Sequence, residues 1–321
     1  MYKPSRIIFM GTPAFAVSSL NALIEAGCDV VAVVTRPDKP RGRGMETQPS
    51  AVKEAALKAG ITVLEPVKIN EEGFISKLRS LEADFIVVVA YGRILPQAVL
   101  EIPPKGCVNL HASLLPKYRG AAPINWAIIR GEQESGVCTM LMDRGLDTGA
   151  VLLRESTPIG EHETAAELAQ RLSKMGGPLL LKTIGLINGG GITAVAQDES
   201  KASYAPLLKK EDGMIDWSST AREIDCLVRG VSPWPGAYTH WHGTVIKVHR
   251  GRQVKVDEPA DERDAVSPGT VIETCGGCIA VRCGGEGSVY EILELQPENK
   301  KRMSAGDFLK GYRLKSNDVF Y

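Results

Sequence analysis

Asn109 and His111 stand one residue apart in the run Gly106-Cys107-Val108-Asn109-Leu110-His111-Ala112-Ser113. Side chains of an extended strand alternate between its two faces. This spacing therefore puts the amide and the imidazole on one side and Val108 and Leu110 on the other. An imidazole moves a proton or donates a hydrogen bond, and an amide N–H meets a developing oxyanion. A carboxylate follows in Met142-Asp143-Arg144-Gly145-Leu146-Asp147-Thr148-Gly149, whose glycines permit a tight loop presenting Asp147. Near His111, that carboxylate would orient the ring or take a proton from an amine. Each motif alone also has a bland reading: satisfied polar groups at a strand end for N-x-H, and an Asx turn or helix cap for D-T-G.

Bringing these residues together is a task for the surrounding elements. The chain opens by alternating short apolar runs with amphipathic stretches, the pattern of βαβ units. The spacing predicts strands over 6–10, 29–35, 61–64, 85–90 and 107–111, and helices over 15–26, 50–59, 72–81 and 124–130. Asn109 and His111 then fall at the carboxyl end of a buried strand, where open α/β sheets bind ligands. Helical spacing over 164–187 is interrupted by Gly176-Gly177-Pro178 and runs into Asn188-Gly189-Gly190-Gly191. Beyond about residue 209 come a helix over 220–228 and short strands over 245–250, 271–273, 279–282 and 289–295 with Gly-rich turns, which suggests a small barrel. The expected fold is α/β: a Rossmann-like, mostly parallel sheet domain over 1–190, a linker over 191–208 and a C-terminal, OB-like β-barrel domain over 209–321.

Composition sets further bounds. The 321 residues carry 38 Lys+Arg against 38 Asp+Glu, which argues against a histone-like binder or a basic disordered tail while allowing local basic patches. Apolar runs such as 85–90 are of buried-strand length, far short of the roughly 18 residues of a membrane span. The amino terminus lacks a signal-type apolar region, so a cytoplasmic location is expected. Seven cysteines, an odd number, read as reduced thiols. After the first strand, Gly11-Thr12-Pro13-Ala14-Phe15 supplies one glycine where a dinucleotide fingerprint needs three, which disfavours a nicotinamide-dependent oxidoreductase. Cys275-Gly276-Gly277-Cys278 with Cys283 lacks a second ligand pair at zinc spacing, so no metal is expected.

Taken together, several motifs in order carry a resemblance that none carries alone. Asn109-x-His111 leads into Ser113-Leu114-Leu115-Pro116-Lys117-Tyr118-Arg119-Gly120-Ala121-Ala122-Pro123. Gly145-Leu146-Asp147-Thr148-Gly149 follows, and Gly11-Thr12-Pro13-x-Phe15 precedes. The chain resembles the formyltetrahydrofolate-dependent formyltransferase family across both domains. The resemblance implies a catalytic trio of Asn109, His111 and Asp147, with 10-formyltetrahydrofolate as formyl donor. It also implies a folate slot built from Ser113, Leu114, Leu115 and Pro116, walled by Tyr91, Gly92 and Ile94. The acceptor it implies is the α-amine of methionine on initiator tRNA. The alternative is a small amine such as glycinamide ribonucleotide or an amino sugar.

A macromolecular acceptor finds support in residues 36–46, which hold Arg36, Lys39, Arg41 and Arg43 against Asp38 and Glu46. Their prolines and glycines are expected to keep the segment out of helix and sheet, as a loop able to grip phosphate at an unpaired RNA end. The resemblance implies insertion at the acceptor stem, with Arg43 matching the family's arginine. The other candidate contacts to tRNA are Lys247, Arg250 and Arg252, in the acid-free run 247–255. The sequence gives no sign of a membrane or a stable protein partner.

Overall fold

Ile7, Ile8, Phe9 and Met10 are wholly buried in the first strand, β1 (Arg6–Gly11), because both faces of a parallel sheet are covered and leave no side for polar residues. The structure is a computed structural model that describes residues 4–41, 46–255, 266–274, 277–285 and 287–321. The chain forms two compact units. The first comprises 1–123, 134–158 and 169–206, and the second 124–133, 159–168 and 207–321.

The first unit continues through α1 (Val17–Glu25), β2 (Asp29–Val34), a hairpin of β3 (Lys39–Arg41) and β4 (Glu46–Gln48), α2 (Ala51–Lys58), β5 (Val63–Leu64), α3 (Glu72–Ser80), β6 (Phe85–Val89), α4 (Gln97–Leu100) and β7 (Cys107–His111). It adds β8 (Arg119–Gly120), β9 (Glu134–Leu141), β10 (Val151–Pro158), most of α6 (Ala165–Asn188) and β11 (Tyr204–Ala205), while α5 (Pro123–Ile129), between β8 and β9 in the chain, falls almost wholly in the second unit. Its sheet runs β10-β9-β7-β6-β1-β2-β5. The β1, β2, β5, β6 and β7 pairings are parallel, whereas β7–β9 and β9–β10 are antiparallel. Ser50 starts α2, its Oγ accepting from the Lys53 N–H at 3.1 Å while sharing a buried 2.8 Å hydrogen bond with Thr35 Oγ1.

Three expectations change. Residues 39–41 and 46–48 pair as an antiparallel hairpin rather than staying out of sheet, since Pro40 sits on a two-stranded ribbon with a free edge. Arg43 lies outside the described residues. The helix expected to break at Gly176-Gly177-Pro178 is continuous from Ala165 to Asn188. Its glycines answer a packing need: a Cβ on Gly176 would run into Leu110, and one on Gly177 would meet Ala22 at 2.6 Å. Strands β9 and β10 were not anticipated, because Ser135, Gly136, Cys138 and Thr139 mask the apolar period. Gly136 is required where the strands close up, since its Cβ would strike the Glu155 carbonyl.

The small barrel expected in the second unit takes the form of an antiparallel sheet curled into a half-barrel. Its order is β12 (Ala237–Trp241), β13 (Thr244–Lys255), β16 (Ser288–Pro297), β15 (Ile279–Arg282) and β14 (Val271–Glu273), with β17 (Met303–Ser304) on β16. Ile224 and Val228 of α7 (Ala221–Gly230) pack with Trp217, Ile246, Tyr290 and Phe308 in its core. Trp217 Nε1 donates to Thr239 Oγ1 at 3.0 Å, satisfying the one polar atom of a buried indole. Among the described residues no helix is long and apolar enough to cross a membrane.

Candidate active site

Strand β7 holds Asn109 opposite Val88 of β6 and Met140 of β9, so the residue is fixed by pairing on both sides. Both Asn109 and His111 are buried and point to one face, as the alternation requires, because both reach Asp147. Asn109 Nδ2 donates to Asp147 Oδ1 at 3.4 Å, and His111 Nδ1 lies 3.7 Å from Asp147 Oδ2. The first is a long hydrogen bond and the second lies beyond hydrogen-bond range. The amide N–H groups of Asn109 are thus not spent on a strong internal partner.

The chain then turns back through Ser113, whose Oγ donates to the Lys117 carbonyl at 2.6 Å, and brings the Tyr118 carbonyl 2.9 Å from His111 Nε2. A carbonyl only accepts, so Nε2 carries the hydrogen and the neutral ring keeps its lone pair on Nδ1, toward Asp147. Two residues later, the Gly120 N–H donates to Asp147 Oδ2 at 2.8 Å. Gly120 has φ +123°, and a Cβ there would lie 2.7 Å from the Ala205 carbonyl oxygen, so no other residue fits without displacing that donor.

Asp147 has φ +55° and Tyr118 has φ +61°, a region that non-glycine residues enter at a cost of about 1–3 kcal/mol. Two left-handed residues at one site mean that the surroundings impose the geometry. In the Asp147 turn, Asp143 Oδ1 accepts from the Gly145 N–H at 3.0 Å and from Thr148 Oγ1 at 2.6 Å. The Asx turn and the Asp147 carboxylate are therefore different residues of one loop. Cys138, in register with His111, has its thiol pushed up to about 12 by burial, so it stays protonated and is no nucleophile.

The residues expected to form a folate slot are placed diversely. Ser113 and Leu115 are buried and Leu114 is half-buried. Leu115 packs with Cys138, Met140 and Val151. Tyr91 lies in a different cluster with Val88, Leu95 and Met10. Its Oη is buried without a hydrogen-bond partner among the described residues, and burial pushes its hydroxyl pKa up. Gly92, with φ +77°, would bring a Cβ to 3.3 Å from the Arg36 guanidinium, and Ile94 is 74% exposed. Lys39 and Arg41 sit on β3.

Lys247, Arg250 and Arg252 are all exposed on β13. Bulges at 248–251 shift the alternation, which lets both an odd and an even position face outward. Arg252 is committed to Glu291 at 2.6 Å. Among the described residues no group of His, Cys, Asp and Glu is placed to hold a metal ion, and Cys275 lies outside them.

Motif reading missed the Tyr118 carbonyl, the Gly120 N–H and Gln197. The first two are main-chain groups and leave no side-chain signal. Gln197 lies 50 residues from Asp147, whose carbonyl it binds.

The chain matches the formyl transferase family over residues 5–184 and the formyl transferase C-terminal domain over 207–313. It is 50% identical over 309 residues to the methionyl-tRNA formyltransferase of Citrifermentans bemidjiense, covering 96% of this chain and 94% of that protein. The methionyl-tRNA formyltransferase of Geotalea daltonii is also 50% identical, with 96% of both chains covered. Among solved structures, an N-formyltransferase from Helicobacter canadensis in complex with folinic acid and dTDP-3-aminofucose is similar in fold. Its TM-score is 0.65 at 21% identity, over 90% of this chain and 99% of that one. HypX from Aquifex aeolicus in complex with tetrahydrofolic acid has a TM-score of 0.61 at 16% identity, over 99% of this chain and 51% of that one.

Proposed function

The chain belongs to the formyl transferase family, and from that premise we propose that it moves the formyl group of 10-formyltetrahydrofolate onto the α-amine of methionyl-initiator tRNA. The observation that carries this reading is the meeting of Asn109, His111 and Asp147 at the carboxyl end of β7. Close identity to methionyl-tRNA formyltransferases over nearly the whole chain, including the second domain, selects the tRNA acceptor over a small amine.

Amine attack on the formyl carbon forms a C–N bond and turns the formyl oxygen into an oxyanion. Collapse then breaks the bond to the folate nitrogen. The amine gives up one proton and the departing nitrogen gains one, so the site must carry a proton between them. Asn109 supplies an N–H donor to the oxyanion, and His111 joins it through Nδ1–H when the ring is protonated. Asp147, held by the Gly120 N–H, faces Nδ1, keeps the imidazole oriented and takes part in deprotonating the amine. The formyl donor is already activated, so positioning and electrostatics suffice for the chemistry.

Ser113, Leu114, Leu115, Pro116, Tyr91, Gly92 and Ile94 are assigned to the folate. The Tyr91 hydroxyl, without a partner among the described residues, and the half-buried Leu114 have the mixed chemistry that a pterin ring needs. Arg36, Lys39, Arg41 and Arg43 are assigned to the acceptor end of the tRNA, and Lys247, Arg250 and Arg252 to its backbone. The test is formyl transfer to charged initiator tRNA measured beside free amines. Product on the tRNA is expected, and formylation of a small amine with none on tRNA would overturn the reading.

A further inference from the structure

The segment 197–205 grips the site from behind. Gln197 Nε2 donates to the carbonyl of Asp147 at 2.8 Å and to that of Gly149 at 2.7 Å, using both its hydrogens on one turn. Its Oε1 accepts from Arg119 Nε at 3.1 Å and Nη2 at 2.9 Å, so all the carboxamide's polar groups are engaged. Arg119, 1% exposed, also makes a two-armed pair with Glu199, at 2.9 and 2.7 Å. Farther along, Ser203 Oγ accepts from the Tyr118 N–H at 2.9 Å, and the Arg119 N–H donates to the Ser203 carbonyl at 2.8 Å. Tyr204 and Ala205 pair in parallel with Arg119 and Gly120. One strap thus holds the strand that carries the Tyr118 carbonyl and Gly120 N–H and, through Gln197, the turn that carries Asp147.

The geometry points to Gln197 as a positioning residue for the reaction proposed above: its carboxamide clamps the left-handed turn so that the Asp147 carboxylate stays on Asn109 and His111. The physical reason is the strain at Asp147. A residue with φ +55° relaxes unless its flanking main chain is tied, and Asp147 and Gly149 are tied by one NH2 group. Arg119 is the support, since its planar guanidinium fixes the orientation of the Gln197 amide while Glu199 balances its charge. This inference rests on the formyl-transfer reading of the site.

Two full-length variants separate clamping from mere satisfaction of Arg119. Gln197→Glu keeps an acceptor for Arg119 but loses both donors to the turn, and Gln197→Ala loses everything. Single-turnover formylation should fall about 10- to 100-fold in both, with KM for the tRNA within about twofold, as expected when a catalytic group is displaced by about 1 Å. In an Asp147→Asn background, Gln197→Glu should cost less than about threefold more, because the group it positions is already disabled. Backbone amide exchange at 145–149 should rise in Gln197→Glu relative to the rest of the chain, a readout that does not depend on turnover. A Gln197→Glu rate within threefold of wild type, losses that multiply with Asp147→Asn, or unchanged exchange at the turn would overturn the inference. Wild-type protein that makes no formyl product would overturn the functional reading instead, while the exchange experiment would still decide whether Gln197 holds the turn.

Discussion

His111 Nε2 lies 2.9 Å from the carbonyl oxygen of Tyr118, a residue held at φ +61°, and that contact fixes which ring nitrogen faces Asp147. Because the carbonyl only accepts, the neutral imidazole is the Nε2–H tautomer with its lone pair on Nδ1. Nitrogen-15 NMR of the free protein should show this tautomer for His111. An Nδ1–H tautomer would overturn the assignment of Nε2 as the nitrogen that donates to the Tyr118 carbonyl.

Substitution within the trio should fall on turnover. Asn109→Ala, His111→Ala and Asp147→Asn should each lower kcat by about 10²–10⁴-fold, the range for loss of an oxyanion donor or a general base. Affinity for tRNA, measured by filter binding, should stay within about threefold, since none of the three is a phosphate contact. A near-normal kcat in any one variant takes that residue out of the mechanism.

Gly120→Ala should damage both stability and activity. The added Cβ meets the Ala205 carbonyl oxygen, and φ +123° is closed to alanine, so the unfolding free energy should drop by about 1–3 kcal/mol. The N–H donor to Asp147 moves with it, so kcat should fall while KM for the donor changes little. Thermal melts and steady-state kinetics check the pair, and an unchanged kcat would mean that the Gly120 N–H does not hold the carboxylate.

Burial pushes the thiols of Cys107 and Cys138 up to about 12. Raised thiol pKa values keep the reactive thiolate scarce at pH 8, so both should resist iodoacetamide until the protein unfolds, whereas the partly exposed Cys28 and Cys278 should react before them. Peptide mass spectrometry of a time course reads the order directly.

Thr220 and Glu223 form a reciprocal capping box at the start of α7, with both bonds to the Glu223 carboxylate at 2.8 Å. The Thr220 N–H, followed by its hydroxyl, holds the Glu223 carboxyl below its usual value. A depressed folded pKa gives stability that is present above the unfolded carboxylate pKa and lost as pH falls through the folded value. Thr220→Ala should therefore cost about 1 kcal/mol at neutral pH, and the gap to wild type should narrow in acid. Denaturant titrations at pH 7 and at low pH measure both ends.

Residue types and their order along the chain determined much of this protein. Alternation alone put Asn109 and His111 on one face of β7. Continuous β-branched runs marked Phe85–Val89 as a covered strand, and the ordered motifs pointed to the family. Such signals are local, carried by periods of two and 3.6 residues and by turn glycines. Strands β9 and β10 stayed hidden because their small polar residues are explained only by the neighbours they pack against. Only the tertiary structure decided that Gly176 and Gly177 serve helix packing, that the Asx turn belongs to Asp143 while Asp147 is turned inward, and that Gln197 closes the turn from 50 residues away. The contacts around Asp147 and His111 run from Gly120 N–H to Asp147, from His111 to the Tyr118 carbonyl and from Gln197 to two carbonyls. They use main-chain groups identical at every position of the chain, so no pattern of side chains could announce them before the fold brought them together.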